Sequence, residues 1–395
     1  MPRIAFVSSH PIQYQVPVFR CLAARDDLDF RVLFAMVPDA AAQGAGFGVE
    51  FEWDIPLLEG YPYQLLENVA HAPSVTRFKG CDTPSIRQVL AEARIDAVVV
   101  NGWVVKTCLQ TLRACKRLRI PCIVRGEANH LRPRPWWKRF LQRRLVRSFD
   151  AFLPIGSANR SFYESYGIQS NRMFDAPYCV ENSRFERAAT LALPQRGKLR
   201  EQWDISQDAI CFLYCGKFEP KKHPVELIDA FFEAYRQDSR LHLLMVGDGE
   251  LRPRCESLVR SHLSSLAEGT KSPVTFAGFL NQSKIVDSYV SADCLVLPSD
   301  HGETWGLVTN EAMACSRPAI VSDQVGCARD LVRDGETGFV FPFGDWTALA
   351  KLLVRFASDT SAIERMGKNA NRRIQDFSPQ RAADGIVQAV RCVVG

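Results

Sequence analysis

Short runs of apolar residues alternate along the chain with stretches whose apolar residues recur at helical spacing. In the first half, five such runs have the length and composition of buried strands, and helices are expected over 11–24 and in the stretches that end at Leu118 and Tyr166. The predicted strands are Arg3–Ser8, Leu28–Met36, Ile95–Asn101, Ile120–Arg125 and Asp150–Ile155. Residues 37–84 are rich in glycine, proline and aromatic residues and give no readable pattern. Strands that alternate with helices predict a parallel sheet with helices on both faces.

The same alternation restarts after a polar stretch, Arg184–Arg200, which is interpreted as a linker. A helix is predicted over Pro224–Tyr235 and a last one over Pro379–Val394. The predicted strands are Ile210–Cys215, Leu241–Val246, Val274–Ala277, Asp293–Leu297 and Pro318–Val321. The fold class is therefore predicted as α/β, with two Rossmann-like, doubly wound parallel-sheet domains facing a cleft. The expected boundaries are 1–190 and 191–375, with a C-terminal helix in 376–395 that could cross back to the first domain.

Composition argues against some classes of protein and does not alter the predicted fold class. The chain of 395 residues is long enough for two or three domains, with 47% apolar and 24% charged residues. A net charge of +5 over this length does not indicate a nucleic-acid binder. The thirteen cysteines form no C-x-x-C pair and several lie in apolar runs, which favours buried thiols in a reducing compartment. Because no apolar run approaches the ~20 residues of a membrane span and no leader pattern is visible, a cytoplasmic protein is expected.

One basic and aromatic segment allows two interpretations. Residues 132–147 contain seven basic side chains and no acidic one. The interleaved apolar residues are Trp136, Trp137, Phe140, Leu141 and Leu145. A helix of this kind can lie in a membrane interface and bind anionic lipid, which would place the protein at the inner membrane face. The alternative is a stripe that faces the core, with a solvated basic back.

The stretch Pro298–Glu311 carries the most chemical information. It follows an apolar run and leads into a predicted helix, so unpaired N–H groups at the helix start could hold an anion. Glu303 and Glu311 flank the turn eight positions apart, and carboxylates accept hydrogen bonds from hydroxyls. A ligand with a charged middle and hydroxyl-rich ends is expected, and a nucleotide sugar has that form. Ordinary glutamates on a surface helix are the alternative interpretation.

Further polar loops follow other predicted strands of the second half and should share one edge of the sheet. Lys217 and Lys222, in GKFEPKKH after Cys215, could both reach a diphosphate. The GFLNQ loop, with Phe279 and Leu280, could meet a base through its backbone. The GDGE turn lacks the third glycine of G-x-G-x-x-G, so a dinucleotide-binding interpretation is weak.

Several of these motifs occur together in a familiar order. GKFEPKK, VGDGEL, FAGF, ADCLVLPSDHGETWGLVTNEAMACSRPAIVSD and DGETGFVFPFGD resemble the donor-binding half of the retaining family 4 glycosyltransferases, which have the GT-B fold. The resemblance covers roughly residues 210–345. It implies a nucleotide diphosphate sugar as donor, with no metal and no cofactor.

The resemblance also assigns roles to residues. Lys217 and Lys222 would hold the diphosphate, Glu303 would contact the sugar hydroxyls, and these three are the catalytic candidates. Glu311 would hold the ribose hydroxyls, and the N–H groups around Gly306 and Leu307 the phosphate. The donor-binding candidates are Gly216, Phe279, Leu280, Thr304, Trp305, Gly306, Leu307, Val308 and Glu311.

The first half departs from the family pattern. Its first predicted strand is followed by SSHPIQY in place of a glycine-rich loop, and His10 lies there. VRGEANH places Glu127 where the family often has a histidine, with His130 three residues later. His10, Glu127 and His130 are therefore the acceptor-side candidates, although a histidine before a proline is often structural.

The predicted function is that of a retaining, metal-independent hexosyltransferase. It would move a sugar from a nucleotide diphosphate sugar to an acceptor hydroxyl, with a lipid-linked glycan or a polysaccharide as the candidate acceptor. Two alternatives remain open, since fold alone does not determine function. One is a sugar-nucleotide epimerase or phosphorylase of the same fold, and the other is a non-catalytic, glycosyltransferase-like binding subunit.

Overall fold

The computed structural model describes residues 1–44, 46–131 and 134–395, and the chain divides into two compact units. Unit 1 comprises Met1–Gln43, Ile55–Val180 and Phe377–Gly395, and unit 2 comprises Gly44–Asp54 and Glu181–Asp376. The second unit thus begins about ten residues before the predicted boundary, and it includes a short segment from early in the chain.

Unit 1 is built on a parallel sheet of six strands in the order β3-β2-β1-β4-β5-β6. The strands are β1 Arg3–Ser8, β2 Asp29–Phe34, β3 Tyr63–Leu65, β4 Ala97–Asn101, β5 Cys122–Arg125 and β6 Ala151–Leu153. One helix follows each strand in turn: α1 Val16–Ala23, α2 Ala40–Gly44, α3 Ile86–Glu92, α4 Lys106–Leu118, α5 Trp136–Val146 and α6 Ser157–Ser165. Short 3₁₀ turns lie at Phe78–Gly80 and Ser170–Arg172.

Unit 2 has a second parallel sheet of six strands in the order β12-β11-β10-β7-β8-β9. The strands are β7 Ile210–Cys215, β8 Leu241–Val246, β9 Val274–Gly278, β10 Cys294–Leu297, β11 Ala319–Ser322 and β12 Gly338–Phe341. The helices are α7 Asn182–Ala192, α8 Arg196–Gln202, α9 Pro224–Tyr235, α10 Arg252–Leu263, α11 Ile285–Ser291, α12 Leu307–Ala314, α13 Ala328–Leu331, α14 Trp346–Ala357 and α15 Thr360–Ile374. Short 3₁₀ turns lie at Leu193–Gln195 and Pro220–Lys222.

The core strands are continuous apolar runs because helices cover both faces of each sheet. All six residues of β7 and all six of β8 are buried. Both sheets have the strand order of a doubly wound Rossmann fold. The chain starts at a central strand, adds strands towards one edge, and then returns to the centre and adds strands towards the other edge. The predicted α/β class is confirmed.

The last helix, α16 (Pro379–Val394), packs in unit 1. Its buried face includes Ile386 and Val390, which lie in the same apolar cluster as Phe6 and Phe19. A polar contact joins the two ends of the chain as well, since Arg25 donates to Asp384 at 3.1 Å. The C-terminal helix is therefore part of the core of the unit that the first residues build.

The prediction of an irregular linker over 184–200 is wrong, because this stretch forms α7, a 3₁₀ turn and most of α8. Pro194 lies in the first turn of the 3₁₀ segment, where its missing N–H costs nothing. Arg200, which made the stretch look polar, is buried and donates to Asp293 Oδ2 at 2.8 Å and to the carbonyl of Ala209 at 3.0 Å. The charged residues thus fix these helices to the sheet.

The core-facing interpretation of the basic segment is wrong for four of its five apolar residues, whereas Leu145 is half-buried and packs against the core of unit 1. Arg132 and Pro133 lie outside the described residues, and α5 begins at Trp136. Trp136 is 80% exposed and Phe140 53% exposed, and Trp137 and Leu141 are exposed as well. The aromatic face of α5 therefore points to solvent.

Other expectations concern thiols and membrane spans. Of the thirteen cysteines, all of which lie in the described part of the chain, eleven are buried and none forms a disulfide. The prediction of buried thiols is confirmed. Among the described residues, no helix has both the length and the apolar composition to cross a bilayer.

Candidate functional site

Two loops of unit 2 meet at the centre of its sheet, between β7 and β10, where the strand order changes direction. β7 and β10 are neighbours, and the loops that follow them, residues 216–223 and 298–306, leave the same edge of the sheet. In open parallel sheets ligands bind at this switch point, outside the carboxyl ends of the strands. A backbone hydrogen bond of 3.0 Å from Asp300 N to the Lys221 carbonyl joins the two loops.

The side chains at this junction form a buried ion pair. Lys222, at the end of the 3₁₀ turn Pro220–Lys222, donates through Nζ to Glu303 Oε2. Only 12% of the Lys222 side chain and 14% of the Glu303 side chain is exposed, so water screens the pair weakly. The predicted catalytic residues Lys222 and Glu303 are therefore brought together, although their positions in the sequence are far apart.

The N-terminus of α12 opens next to this pair. Its N-cap residue Gly306 has φ +98°, and a Cβ there would lie 2.7 Å from Leu297 Cδ2, so only glycine fits. In the described part of the chain, no carbonyl accepts from the N–H groups of Leu307 and Val308. Helix N–H groups of this kind, with the positive end of the helix dipole, favour an anion.

Glu311 lies one turn inside α12 and is buried, with 9% of the residue exposed. The hydroxyl of Tyr289 donates to its Oε2 at 2.6 Å. Burial raises the pKa of Glu311, and the hydrogen bond from Tyr289 partly opposes that rise. The side chain of Gln282 donates to this carboxylate as well. A carboxylate has about four acceptor sites, so a ribose hydroxyl would be a further donor to it.

Lys217, the other predicted phosphate ligand, lies against an unexpected neighbour. Its Nζ is 4.7 Å from the ring centroid of Phe47, and burial lowers the pKa of Lys217. The ring of Phe279 packs on Phe51 with centroids 4.3 Å apart. Phe47 and Phe51 belong to the segment Gly44–Asp54, which is part of unit 2.

The other donor-side candidates differ in burial and in the loop that carries them. Trp305 is buried and donates through Nε1 to Asn310 Oδ1 at 2.8 Å, so only its backbone could meet a ligand. Thr304 and Val308 are half-buried beside it. The Phe279–Leu280 loop follows β9, which β8 separates from β7, so it forms the far side of the same sheet edge. Gly216, with φ +154°, begins the loop that carries both lysines.

The acceptor-side candidates lie in unit 1 and fall into two environments. His10 contacts Ser9 Oγ through Nδ1 at 2.8 Å, and burial lowers the pKa of His10 to about 4. Glu127 accepts from the hydroxyl of Tyr178, whose ring packs on Tyr14 with centroids 5.4 Å apart. Tyr178 therefore links the loop after β1 to the loop after β5.

His130 is placed differently, since it packs against α6. Its Nε2 is 2.5 Å from Ser165 Oγ, and its ring lies 5.1 Å from that of Phe162. Burial and the nearby Arg139 and Arg134 lower the pKa of His130. Of the three acceptor-side candidates, Glu127 contacts Tyr178 and through it Tyr14 of the loop that also carries His10, whereas His130 belongs to a separate helix contact.

Sequence reasoning missed Tyr289, Phe47 and Phe51. Tyr289 lies in the apolar face of α11, and nothing in its pattern distinguishes it from a core residue. The stretch GFGVEFEW, residues 46–53, did offer a signal, because aromatic residues are unusually dense there for a loop.

Other features of the structure do not add to this site. Within residues 1–44, 46–131 and 134–395, no group of three His, Cys, Asp or Glu side chains could hold a metal ion. A cavity of about 810 Å³ lies elsewhere in unit 2, near the residues that precede β7, β10 and β11. Its lining, which includes Arg196, Asp293 and Arg317, contains none of the predicted site residues.

Comparisons with known proteins agree with the fold and the motifs. Residues 195–373 match the family model described as "Glycosyl transferases group 1". The chain is 30% identical over 196 residues to a D-inositol 3-phosphate glycosyltransferase of Streptomyces bingchenggensis. The aligned residues make up 48% of this chain and 42% of that protein. The match thus spans less than half of that relative's length. This chain is also 26% identical to a D-inositol 3-phosphate glycosyltransferase of Rhodococcus jostii. That alignment covers 90% of this chain and 83% of that protein.

Solved structures share the architecture over the whole chain. The structure of Anabaena Alr3699/HepE in complex with UDP and glucose is similar to this chain with a TM-score of 0.71 at 18% identity, covering 99% of this chain and 100% of that one. At this identity the likeness concerns the fold. The chain therefore has the GT-B fold, and its residues 195–373 match the glycosyl transferases group 1 model.

Proposed function

We propose that the protein is a retaining glycosyltransferase that moves a hexosyl group from a nucleoside diphosphate sugar to an acceptor hydroxyl. The observation that supports this most is the buried Lys222–Glu303 pair beside the open N-terminus of α12. A cation, a set of backbone donors and a carboxylate converge there, which suits a diphosphate that is bonded to a polyhydroxylated ring.

The chemistry of the site follows from where charge develops. As the bond between the anomeric carbon and the diphosphate oxygen breaks, negative charge grows on the leaving diphosphate. Lys222, which is paired with Glu303 here, and the N–H groups of Leu307 and Val308 would stabilise that charge and lower the barrier. Glu303 accepts hydrogen bonds from sugar hydroxyls and orients the ring.

The acceptor oxygen then forms its bond to the anomeric carbon on the face that the leaving group vacates. Its proton passes to the oxygen of the leaving phosphate, so no separate base is required in unit 2 and the anomeric configuration is retained. The lysines and the helix N-terminus supply the neutralisation that a metal ion gives in other phosphate-transfer sites, so we propose turnover without a metal.

The class of donor and acceptor is proposed from the relatives. The Anabaena structure contains UDP and glucose, and the Streptomyces and Rhodococcus proteins are named for glycosyl transfer to an inositol phosphate. A UDP-hexose is therefore the first donor to test. A phosphorylated polyol, a lipid-linked glycan and a polysaccharide are the acceptors to compare.

A thermal-shift screen with UDP-, GDP- and ADP-sugars tests this proposal. A donor that binds only the native state raises the melting temperature, by an amount that grows with its concentration. We expect one nucleotide class to do so, and we expect the matching free nucleoside diphosphate to be released only when an acceptor is added, with EDTA present. Release without acceptor would favour an epimerase that breaks the bond to the nucleoside diphosphate, and a sugar phosphate formed from a glycan and inorganic phosphate would favour a phosphorylase. No shift at millimolar concentration would favour a non-catalytic subunit. The coupling constant of the new anomeric proton would report retention or inversion.

We further propose that α5 docks the protein on anionic membrane at the inner face, where a lipid-linked acceptor would be found. Its exposed Trp136, Trp137 and Phe140 provide the apolar contact. Basic side chains alternate with them: Lys138 Nζ lies 5.2 Å from the Trp137 ring centroid and Arg144 Cζ 4.9 Å from that of Phe140. Apolar insertion together with attraction to anionic lipid is what holds interfacial helices to a bilayer.

Co-sedimentation with vesicles tests this docking. We expect binding to phosphatidylglycerol-containing vesicles at low salt, loss of binding at high salt, and little binding to neutral vesicles. The double variant Trp136→Ser, Phe140→Ser should lose binding, whereas Leu191→Ser, which alters an exposed apolar residue in unit 2, should not. Equal sedimentation of the two variants would argue against a role for α5 and in favour of a soluble acceptor.

A further inference from the structure

The segment Gly46–Asp54, here called the aromatic strap, packs on the site loops of unit 2. Asn281 Nδ2 donates to the Glu52 carbonyl at 2.7 Å, and Ser283 N donates to Asp54 Oδ1 at 3.1 Å. These bonds fix the strap to the loop after β9, on the side of the sheet edge where the nucleoside of a donor is expected.

The aromatic side chains of the strap form one cluster with that loop. Phe47 and Phe51 both contact Phe279, with ring centroids 5.0 and 4.3 Å apart, and Trp53 packs edge-on against Phe51 at 4.8 Å. Aromatic pairs of this geometry stabilise each other beyond the area that they bury. The position of the Phe47 ring is therefore determined by the strap and by the β9 loop.

Lys217 lies directly against this cluster. Its Nζ is 4.7 Å from the Phe47 ring centroid, and a Cβ built on Gly46 would lie 3.0 Å from Nζ. Gly46 has φ +84°, so glycine suits both its backbone conformation and the close approach of the lysine. The side chain of Lys217 thus runs between the strap backbone and an aromatic face.

The charges around Lys217 explain why a contact between its ammonium and the Phe47 ring is useful. Burial lowers the pKa of Lys217, and the nearby Lys221 and Lys222 lower it further, whereas Glu219 raises it. The two neighbouring ammonium groups thus repel that of Lys217. The ring face attracts the ammonium and keeps it near the site.

We propose that Phe47 is a positioning residue that holds the ammonium of Lys217 ready for the donor diphosphate. This inference rests on the proposed function, since it concerns how the same site takes its anionic ligand. Phe47 acts through Lys217 and need not contact the donor itself. The strap would thereby make a residue from early in the chain part of the donor-binding machinery of unit 2.

A double-mutant cycle on ligand affinity tests the proposal. UDP, GDP and ADP, with the corresponding nucleosides, are titrated calorimetrically into the unaltered protein and into Phe47→Leu, Lys217→Ala and the double variant. We expect Phe47→Leu to weaken binding of the nucleoside diphosphate about 3- to 10-fold, the range of a partly buried cation–π contact. It should leave binding of the nucleoside unchanged, and it should have no further effect once Lys217 is alanine.

Two controls separate positioning from packing. Phe47→Tyr keeps the ring face and should restore affinity, and Phe51→Leu alters an aromatic residue of the same strap whose ring contacts are to Phe47, Trp53 and Phe279. Because Phe51 reaches Lys217 only through Phe47, Phe51→Leu should show weaker coupling to Lys217 than Phe47→Leu does. Additive losses, an equal loss for nucleoside and nucleoside diphosphate, or tighter binding by Phe47→Leu would overturn the inference. If the unaltered protein bound no nucleoside diphosphate, both this inference and the proposed function would be refuted.

Discussion

Replacing Lys222 with alanine is expected to lower kcat/KM by about 10²- to 10³-fold, the scale of one lost donor to a developing anion. The variant loses the cation that the leaving diphosphate needs. It also leaves the carboxylate of Glu303 buried without its partner, and that charge would repel the incoming diphosphate. Steady-state kinetics with the donor found in the screen would measure the loss, and both kcat and kcat/KM should fall because the contact strengthens in the transition state.

The adjacent lysine provides a matched control. Lys221 is more exposed, and its ammonium pairs with Glu219 at 3.2 Å. Only its backbone carbonyl, which a substitution leaves in place, bonds to Asp300. Lys221→Ala should therefore keep activity within a few-fold of the unaltered protein. Unchanged turnover in Lys222→Ala, or an equal loss in both variants with native melting temperatures, would remove Lys222 from the mechanism.

Glu311→Gln is expected to weaken donor binding by about 10- to 100-fold, the range for a lost hydrogen bond to a charged group. The amide has nearly the shape of the carboxylate, and its oxygen can still accept from the Tyr289 hydroxyl, so folding should survive. What changes is the charge offered to the ribose hydroxyls. Donor affinity by calorimetry, for the nucleoside diphosphate and its 2′,3′-dideoxy analogue, would measure the effect.

The analogue makes the result specific to the proposed contact. It lacks the hydroxyls that Glu311 would hold, so the unaltered protein and Glu311→Gln should bind it with equal affinity. If the variant lost the same factor for both ligands, the carboxylate would act on the fold of the site and not on the ribose.

The pH dependence of binding should have a definite sign. Burial raises the pKa of Glu311, so this carboxylate takes up a proton at a higher pH than an exposed glutamate does. Donor affinity should therefore fall on acidification before exposed carboxylates titrate, and Glu311→Gln should flatten that part of the profile. The effect on stability runs the other way: the native state binds this proton more tightly than the unfolded state, so acidification through that pKa favours the native state.

The parts of the fold that the sequence predicted well are those whose pattern is local. β7 and β8 are found at their predicted bounds because strands buried on both faces are uninterrupted apolar runs that end at glycine. α9 is found at Pro224–Tyr235 because proline at the first helical position and an apolar stripe mark it. The sequence likewise placed the start of α12 between Glu303 and Glu311, and α12 begins at Leu307.

The parts that failed depend on partners distant in the sequence. α7 and α8 looked like a linker because the burial of Arg200 depends on Asp293, which is 93 positions away. The helical spacing of α5 predicted an apolar face but could not tell core from solvent. The strap was unreadable because its aromatic residues find their partner, Phe279, on a loop more than two hundred residues later.

A crystal structure of the protein with the nucleoside diphosphate selected by the thermal-shift screen would show whether the diphosphate binds where β7 and β10 end. We expect the diphosphate at the N-terminus of α12, within hydrogen-bonding distance of the N–H groups of Leu307 and Val308 and of Lys222 Nζ, with a ribose hydroxyl on Glu311. A diphosphate bound instead in the cavity lined by Arg196 and Arg317, with the Lys222–Glu303 pair undisturbed and solvent at the start of α12, would contradict it.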